Sequence, residues 1–318
     1  IDKKFIDIFH NVSAKAALAS YHLVGKKNKK AADKAAVDSM RKNLNKIDMK
    51  GEIVIGEGEL DEAPMLYIGE NLGSKNGPEL DIAVDPLEGT NFVAKNLPNA
   101  ISVMAVAEKN CLLSAPDTYM EKIAIGSGFP KSLVDLDFSV EKNIKLLANA
   151  KNVNPDKLTA CILKRDRHKN IISSLNSLNV KIKFIDDGDV TGVISVVDPT
   201  SSIDIYLGTG GGPEGVLAAA ALHCLGGQMQ TRLLLRDKDE IKKAEALNIS
   251  DFRKKYSIID MVKGDVIFCA TGVTDGELVK GIKDIGAFFE AETLVLHKSS
   301  NTNEIIKNII LKTWLKVM

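Results

Sequence analysis

A chain of 318 residues, 45% hydrophobic and 26% charged, is long enough for one large domain or two medium ones and too apolar to be disordered over most of its length. Its 42 Lys and Arg balance 42 Asp and Glu, so no whole-chain field draws in nucleic acid or a membrane surface, and an anionic ligand must be held by a local site. Cys111, Cys161, Cys224 and Cys269 are far apart, form no Cys-x-x-Cys pair and mostly sit in apolar runs; they read as buried thiols of a reducing compartment, and the expected location is the cytoplasm.

The segment from Ile1 to Asn11 mixes lysines and aspartates among apolar residues and lacks the pattern of a secretory signal. Phe5, Ile8, Phe9, Val12, Ala16, Ala19 and Leu23 recur at helical spacing and predict an amphipathic helix ending near Gly25. Lys26, Lys27, Lys29 and Lys30 lead into a second helical pattern, Ala32, Ala36, Met40 and Leu44, with Asp33 expected near its first turn, where an acid suits the helix dipole. Gly51 to Gly56 and Leu80 to Val84 predict strands, each ending in carboxylates. Further strands are expected over Ala100 to Ala107, Lys122 to Ile125, Leu158 to Leu163, Val180 to Ile185, Ile203 to Leu207, Val266 to Ala270 and Thr293 to Leu296. Helical patterns such as Ile171 to Leu178 and Glu214 to Leu225 separate them. This alternation predicts mixed sheets with helix layers, an α/β or α+β class. The sequence suggests a cut between Val134 and Pro155 into subdomains 1–150 and 151–318, and a surface helix or excursion over Arg236 to Lys255 without chemistry. The longest stretch lacking Asp, Glu, Lys and Arg, Gly215 to Thr231, is too short and too polar to span a bilayer.

Glu57, Glu59, Asp61 and Glu62 crowd the end of one strand; Asp81, Asp85 and Glu88 surround the end of the next. Acids gathered in one cleft call for divalent cations, whereas the count alone also describes two solvated acidic loops. Asp85-Pro86-Leu87-Glu88-Gly89-Thr90 favours the first reading: proline stops the strand, Glu88 adds a second carboxylate, Gly89 lets the backbone approach a ligand, and Thr90 supplies a hydroxyl. Mg²⁺ or Mn²⁺ suits such oxygen donors, and the amides of Gly89 and Thr90 suit a phosphate. The glycines at 208, 210, 211, 212 and 215 match a dinucleotide fingerprint weakly, because Pro213 and Glu214 break its spacing. No histidine pair points to the other phosphatase chemistries, and although Arg165 and Arg167 follow Cys161 by four and six residues, no glycine loop lies between them as a cysteine phosphatase needs.

The hexapeptide resembles the Asp-Pro-(Ile/Leu)-Asp-Gly-(Ser/Thr) signature of the lithium-sensitive phosphatases, among them the inositol monophosphatases, with Glu88 in place of the second aspartate. Together with Ile55-Gly56-Glu57-Gly58-Glu59-Leu60-Asp61-Glu62-Ala63-Pro64-Met65-Leu66-Tyr67, it is similar to the class II fructose-1,6-bisphosphatases. The likeness continues through Ala115 to Lys122, Asp187-Gly188-Asp189 and Gly210 to Gly215. It implies a layered α-β-α-β-α sandwich, a homo-oligomer such as a tetramer, and hydrolysis of the 1-phosphate of fructose 1,6-bisphosphate, a gluconeogenic step, by metal-activated water. Carried over, Asp33 and Glu57 resemble ligands of one metal, and Asp85, Glu88 and Glu214 those of another, drawn from both halves of the chain. Thr90, with Asp61 as its partner, resembles the pair that positions the water. Glu88, Gly89, Thr90, Tyr119, Arg165, Asp166, Arg167, Asp187, Gly188, Asp189 and Gly211 resemble substrate contacts. Arg165 and Arg167 stand for the clamp on the second phosphate, although Lys164-Arg165-Asp166-Arg167-His168 departs from the Lys-Pro-Arg-His form of relatives and also reads as solvated surface. Tyr119 reads as a hydrogen-bonding group or a core tyrosine, and Asp187 to Asp189 as sugar contacts or a helix-capping turn. Rival readings are an inositol or nucleotide phosphatase, an enzyme that also takes sedoheptulose 1,7-bisphosphate, and a non-catalytic sugar-phosphate-binding regulator.

Overall fold

The computed structural model describes residues 1–56 and 65–312. The chain opens with α1 (Phe5–Tyr21) and α2 (Lys29–Leu44), the latter capped by Asn28, whose side-chain oxygen accepts the Ala31 N–H at 3.0 Å. Then come β1 (Lys50–Ile55), β2 (Asn71–Leu72), β3 (Glu79–Glu88), α3 (Thr90–Lys95) and β4 (Ile101–Glu108). Phe9, Val12 and Ala16 of α1 join Val37, Met40 and Leu44 of α2 in one buried cluster with Leu80, Ile82 and Val84 of β3 and Met104 and Val106 of β4. Because a strand alternates faces, the odd-numbered Asp81, Ala83 and Asp85 lie on the other face of β3.

A second compact unit, Thr118–Met261, is inserted at this point. It contains β5 (Tyr119–Ile125), α4 (Val140–Ala150), β6 (Thr159–Leu163), α5 (Lys169–Ser177), β7 (Lys181–Ile185), α6 (Asp189–Ile194) and β8 (Ile205–Gly211). It continues with α7 (Gly212–Leu225), β9 (Gln228–Leu234), α8 (Lys238–Ala246), β10 (Tyr256–Ser257) and α9 (Ile258–Met261). Its mixed sheet has the order β10-β9-β5-β8-β6-β7. Ile123, Ile125, Ile205 and Leu207 pack against Ile144 and Leu147 of α4 and Leu175 of α5. β5 runs antiparallel to both neighbours, which sets its first residue, Tyr119, opposite Gly211 at the end of β8 and Leu234 at the end of β9.

The chain then returns to the first unit with β11 (Val266–Gly272), β12 (Lys283–Ile285), β13 (Phe288–His297) and β14 (Thr302–Leu311). That unit's mixed sheet has the order β12-β13-β11-β4-β3-β1-β2, with β14 also on β13. The mixed α/β class expected from the sequence holds in both units. The division does not fall near residue 150: strand pairing decides it, since β5 is locked between β8 and β9 while β11 is locked between β4 and β13. Among the described residues no helix is long and apolar enough to cross a membrane, and none of the four cysteines forms a disulfide.

Candidate active site

The first unit carries the acidic motif at the end of β3. Asp85 pairs with Val103 and Glu88 with Ile101, so three steps along β3 span two along β4: an extra residue is accommodated as a bulge at Pro86-Leu87. The bulge has a chemical consequence. A spacing of three would put two side chains of a regular strand on opposite faces, whereas Val103 and Ile101, two apart, share a face, and their cross-strand partners Asp85 and Glu88 share it with them. Both carboxylates are buried, and Asp85 Oδ1 accepts the Leu87 N–H at 3.1 Å across the bulge. Gly89 then turns the chain with φ 86°, where a Cβ would also lie 2.7 Å from the Phe92 ring. Its carbonyl accepts the Phe92 N–H at 2.8 Å, and Thr90 opens α3.

Asp33 reaches the neighbourhood of this motif through packing. The Gly25 and Lys27 N–H groups donate to the carbonyls of Val93 and Ala94 at 2.8 and 2.9 Å, and Ala32 and Ala36 share a cluster with Leu87, Phe92 and Val93. Since α2 starts at Lys29, Asp33 falls in its second turn; the expected first-turn position, and with it the dipole rationale, does not hold. Among the described residues its Oδ1 is buried without a hydrogen-bond donor, and burial raises its pKa above the ordinary aspartate value. An anionic oxygen enclosed in this way suits a hard cation such as Mg²⁺ or Mn²⁺. Glu57 and Asp61 lie outside the described residues. Among the described residues no three His, Cys, Asp or Glu side chains are gathered as a group able to hold a metal ion.

The second unit gathers its candidate residues where β5 begins and β8 and β9 end. Arg167 donates from Nε and Nη2 to the Thr209 carbonyl at 3.1 and 2.7 Å, which fixes its guanidinium 4.7 Å from the centre of the Tyr119 ring. His168 is buried behind it: Nδ1 sits 2.7 Å from the Leu163 carbonyl while Nε2 accepts the Thr209 N–H at 2.8 Å, a neutral tautomer in keeping with a pKa lowered chiefly by burial. Arg165 is half-buried, with Nη1 on the Lys164 carbonyl at 3.1 Å, and exposed Asp166 pairs with Lys169 at 3.1 Å. Glu214 lies in the first turn of α7, folded over Gly211 so that a Cβ there would meet its carboxylate at 1.9 Å.

Asp187, Gly188 and Asp189 form the turn that starts α6, with Gly188 at φ 83°. Both oxygens of buried Asp189 are engaged inside the protein: Oδ2 takes the ammonium of Lys122, whose side chain is 0% exposed, and Oδ1 takes the Tyr206 hydroxyl. Burial, with Asp189 beside it, raises the Tyr206 pKa well above the ordinary value, so it stays a donor. The sequence offers Asp187 to Asp189 as sugar contacts or a helix-capping turn; the turn is there, and Asp189 within it is the hub of a buried network. Sequence reasoning also misses Arg236, which follows β9 and brings its guanidinium to 4.7 Å from the Tyr119 ring centre. The charged run after it reads in the sequence as a surface helix without chemistry; the helix is there as α8, but its leading arginine belongs to this cluster. Only the pairing of Tyr119 with Leu234 reveals this neighbour.

A model of the family "Bacterial fructose-1,6-bisphosphatase, glpX-encoded" matches residues 4–310, across both units. Fructose-1,6-bisphosphatase class 2 of Haemophilus influenzae is 42% identical over 315 residues, 95% of this chain and 94% of its own length. Fructose-1,6-bisphosphatase 1 class 2 of Escherichia coli K12 is likewise 42% identical over 315 residues, 95% of this chain and 93% of its own. A solved inositol monophosphatase-fructose 1,6 bisphosphatase aligns over 100% of this chain and 98% of its own at 12% identity with a TM-score of 0.38, too low to add to the sequence matches. With matches of this extent and identity, the chain belongs to the bacterial class II fructose-1,6-bisphosphatase family.

Proposed function

We propose that this chain hydrolyses the 1-phosphate of fructose 1,6-bisphosphate, releasing fructose 6-phosphate and inorganic phosphate. The observation that carries the reading is the near full-length 42% identity to proteins named for that activity. The bulge that turns Asp85 and Glu88 to one face supports it from the side of chemistry. Asp33, Glu57, Asp85, Glu88 and Glu214 are the residues that would hold Mg²⁺ or Mn²⁺. A divalent cation there supplies charge neutralisation for the phosphoryl group and makes water more acidic. Thr90, with Asp61 as its partner, orients the water through its hydroxyl, while Gly89 and Thr90 meet phosphoryl oxygens from the backbone. Tyr119, Arg165, Asp166 and Arg167 address the far end of the substrate, with Asp187, Gly188 and Gly211 along the sugar. In this reading Asp189, held by Lys122 and Tyr206, supports the Asp187-Gly188 turn from the interior. The enzyme works as a homo-oligomer in the cytoplasm.

The test is phosphate release from fructose 1,6-bisphosphate, sedoheptulose 1,7-bisphosphate and inositol 1-phosphate, each with EDTA, Mg²⁺ or Mn²⁺. Cation-dependent turnover of fructose 1,6-bisphosphate well above inositol 1-phosphate is expected. Folded protein that releases phosphate from none of them would be a binding protein, and the reading would be wrong.

A further inference from the structure

Two guanidinium groups attend one aromatic ring in the second unit. Arg167 and Arg236 each lie 4.7 Å from the centroid of Tyr119. They arrive from separate elements. Arg167 is fixed from β8 through the Thr209 carbonyl, and Arg236 stands two residues past Leu234, the β9 partner of Tyr119. Arg236 is held in place by Glu240 one helical turn on. The carboxylate accepts Nε at 2.9 Å, Nη2, and the Arg236 backbone N–H at 2.6 Å. Glu240 is buried, and its pKa is held low chiefly by this arginine.

The charges in this cluster do not cancel. Glu240 compensates Arg236, but the fork of Arg167 is bonded to a neutral carbonyl, and among the described residues it pairs with no carboxylate. Like charges brought together around one ring repel unless an anion joins them, and an arginine fork flanking an aromatic is well suited to a phosphate. Arg236 is nevertheless 59% exposed, so it is oriented by Glu240 without being walled off from a ligand.

We infer that Arg236 is a specificity residue, completing with Arg167 an anion subsite at Tyr119 for the phosphate that is not hydrolysed. The inference rests on the proposed substrate, a sugar with two phosphates. Stacking requires the planar guanidinium, so lysine does not replace it.

The experiment compares wild type, Arg236→Ala and Arg236→Lys in three measurements: calorimetric titration with fructose 6-phosphate, steady-state kinetics with fructose 1,6-bisphosphate and fructose 1-phosphate, and melting temperature. Arg236→Ala is expected to weaken fructose 6-phosphate binding and raise KM for the bisphosphate by about tenfold. Its KM for fructose 1-phosphate stays within about twofold of wild type, kcat for the bisphosphate changes less than about threefold, and Arg236→Lys recovers little. Removing one arginine from the phosphate gives that split; a merely structural role in starting α8 does not. Equal losses on both substrates, a lowered melting temperature with unchanged fructose 6-phosphate affinity, or no binding of fructose 6-phosphate by wild type would each overturn the inference. If wild type hydrolyses neither substrate yet binds fructose 6-phosphate through Arg236, the reaction reading fails and the subsite stands.

Discussion

Asp189 and Asp33 are carboxylates of the two units that solve the cost of burial in opposite ways. Asp189 has both oxygens satisfied from within, by the Lys122 ammonium and the Tyr206 hydroxyl, and its charge is balanced by a lysine with no other visible task. Asp33 keeps a buried oxygen that has no donor among the described residues, and a raised pKa. Asp33 as a residue is only half-buried, but a carboxylate oxygen enclosed without a partner is still costly, and a chain that needed Asp33 only for its fold would gain by supplying a donor or losing the charge. The difference separates a carboxylate that builds the protein from one reserved for a cation added later.

The two sites should therefore break differently. Asp33→Asn is expected to lower turnover by about a thousandfold, the worth of several kcal/mol of cation chemistry, without lowering the stability of the cation-free protein. The pH dependence carries the sign. Burial holds the Asp33 pKa above 3.8, so the folded state keeps the proton more tightly than the unfolded chain. The stability this contributes is full below 3.8 and is lost as pH rises through the folded value; urea unfolding in EDTA should show that fall in wild type and not in Asp33→Asn. Lys122→Met should do the reverse. It strands Asp189 in the core and costs about 3–5 kcal/mol, much of which Lys122→Met with Asp189→Asn recovers, because the double variant carries no unpaired charge. A destabilised Asp33→Asn or an undisturbed Lys122→Met would erase the contrast.

The same two sites show what the sequence can convey. Asp85 to Thr90 is legible because proline, glycine and acids stand in one short run, yet the reason an Asp-x-x-Glu spacing works is the register shift against β4, which no local pattern carries. β9 and β14 escape recognition: Gln228-Met229-Gln230-Thr231-Arg232 has too few apolar residues to stand out beside an apolar helix, and β14 is an edge strand whose polar residues interrupt its isoleucines. Strands predicted from apolar runs come out too short where polar ends are paired, as in β5, which begins at Tyr119 and not at Lys122. The burial of Lys122 has no signal in the sequence, since a lysine in a strand is ordinarily read as surface.

His168 provides a smaller test with the opposite pH sign to Asp33. Burial, the largest cause, lowers its pKa below 6.5, so the unfolded chain binds the proton more readily than the folded one. Stability from the neutral ring is full above 6.5 and lost as pH falls toward the folded value, by at most about 1.4 kcal/mol per pH unit. Urea midpoints between about pH 7 and pH 5.5 should decline in wild type more than in His168→Asn. Protonation also removes the acceptor for the Thr209 N–H, at the residue whose carbonyl holds Arg167. Fructose 6-phosphate affinity should therefore weaken over the same window, and an affinity that does not follow pH there would detach His168 from the subsite.

The smallest expected effect concerns Tyr119, and it separates the ring from its hydroxyl. Expected from sequence to hydrogen-bond the substrate or lie in the core, Tyr119 is half-buried, and the neighbours that distinguish it are the guanidinium groups of Arg167 and Arg236 at its ring. Cation–π interactions at an exposed site contribute about 0.5–1 kcal/mol each. Tyr119→Phe keeps both, so its KM for fructose 1,6-bisphosphate should stay within about twofold of wild type. Tyr119→Leu removes the aromatic face and releases two like charges from their common support, raising KM by about two- to fivefold for each arginine that no longer stacks, with kcat little changed. A large KM increase in the phenylalanine variant would give the hydroxyl the leading role, and the arginines would then be neighbours of a hydrogen bond and not the builders of a stacked site.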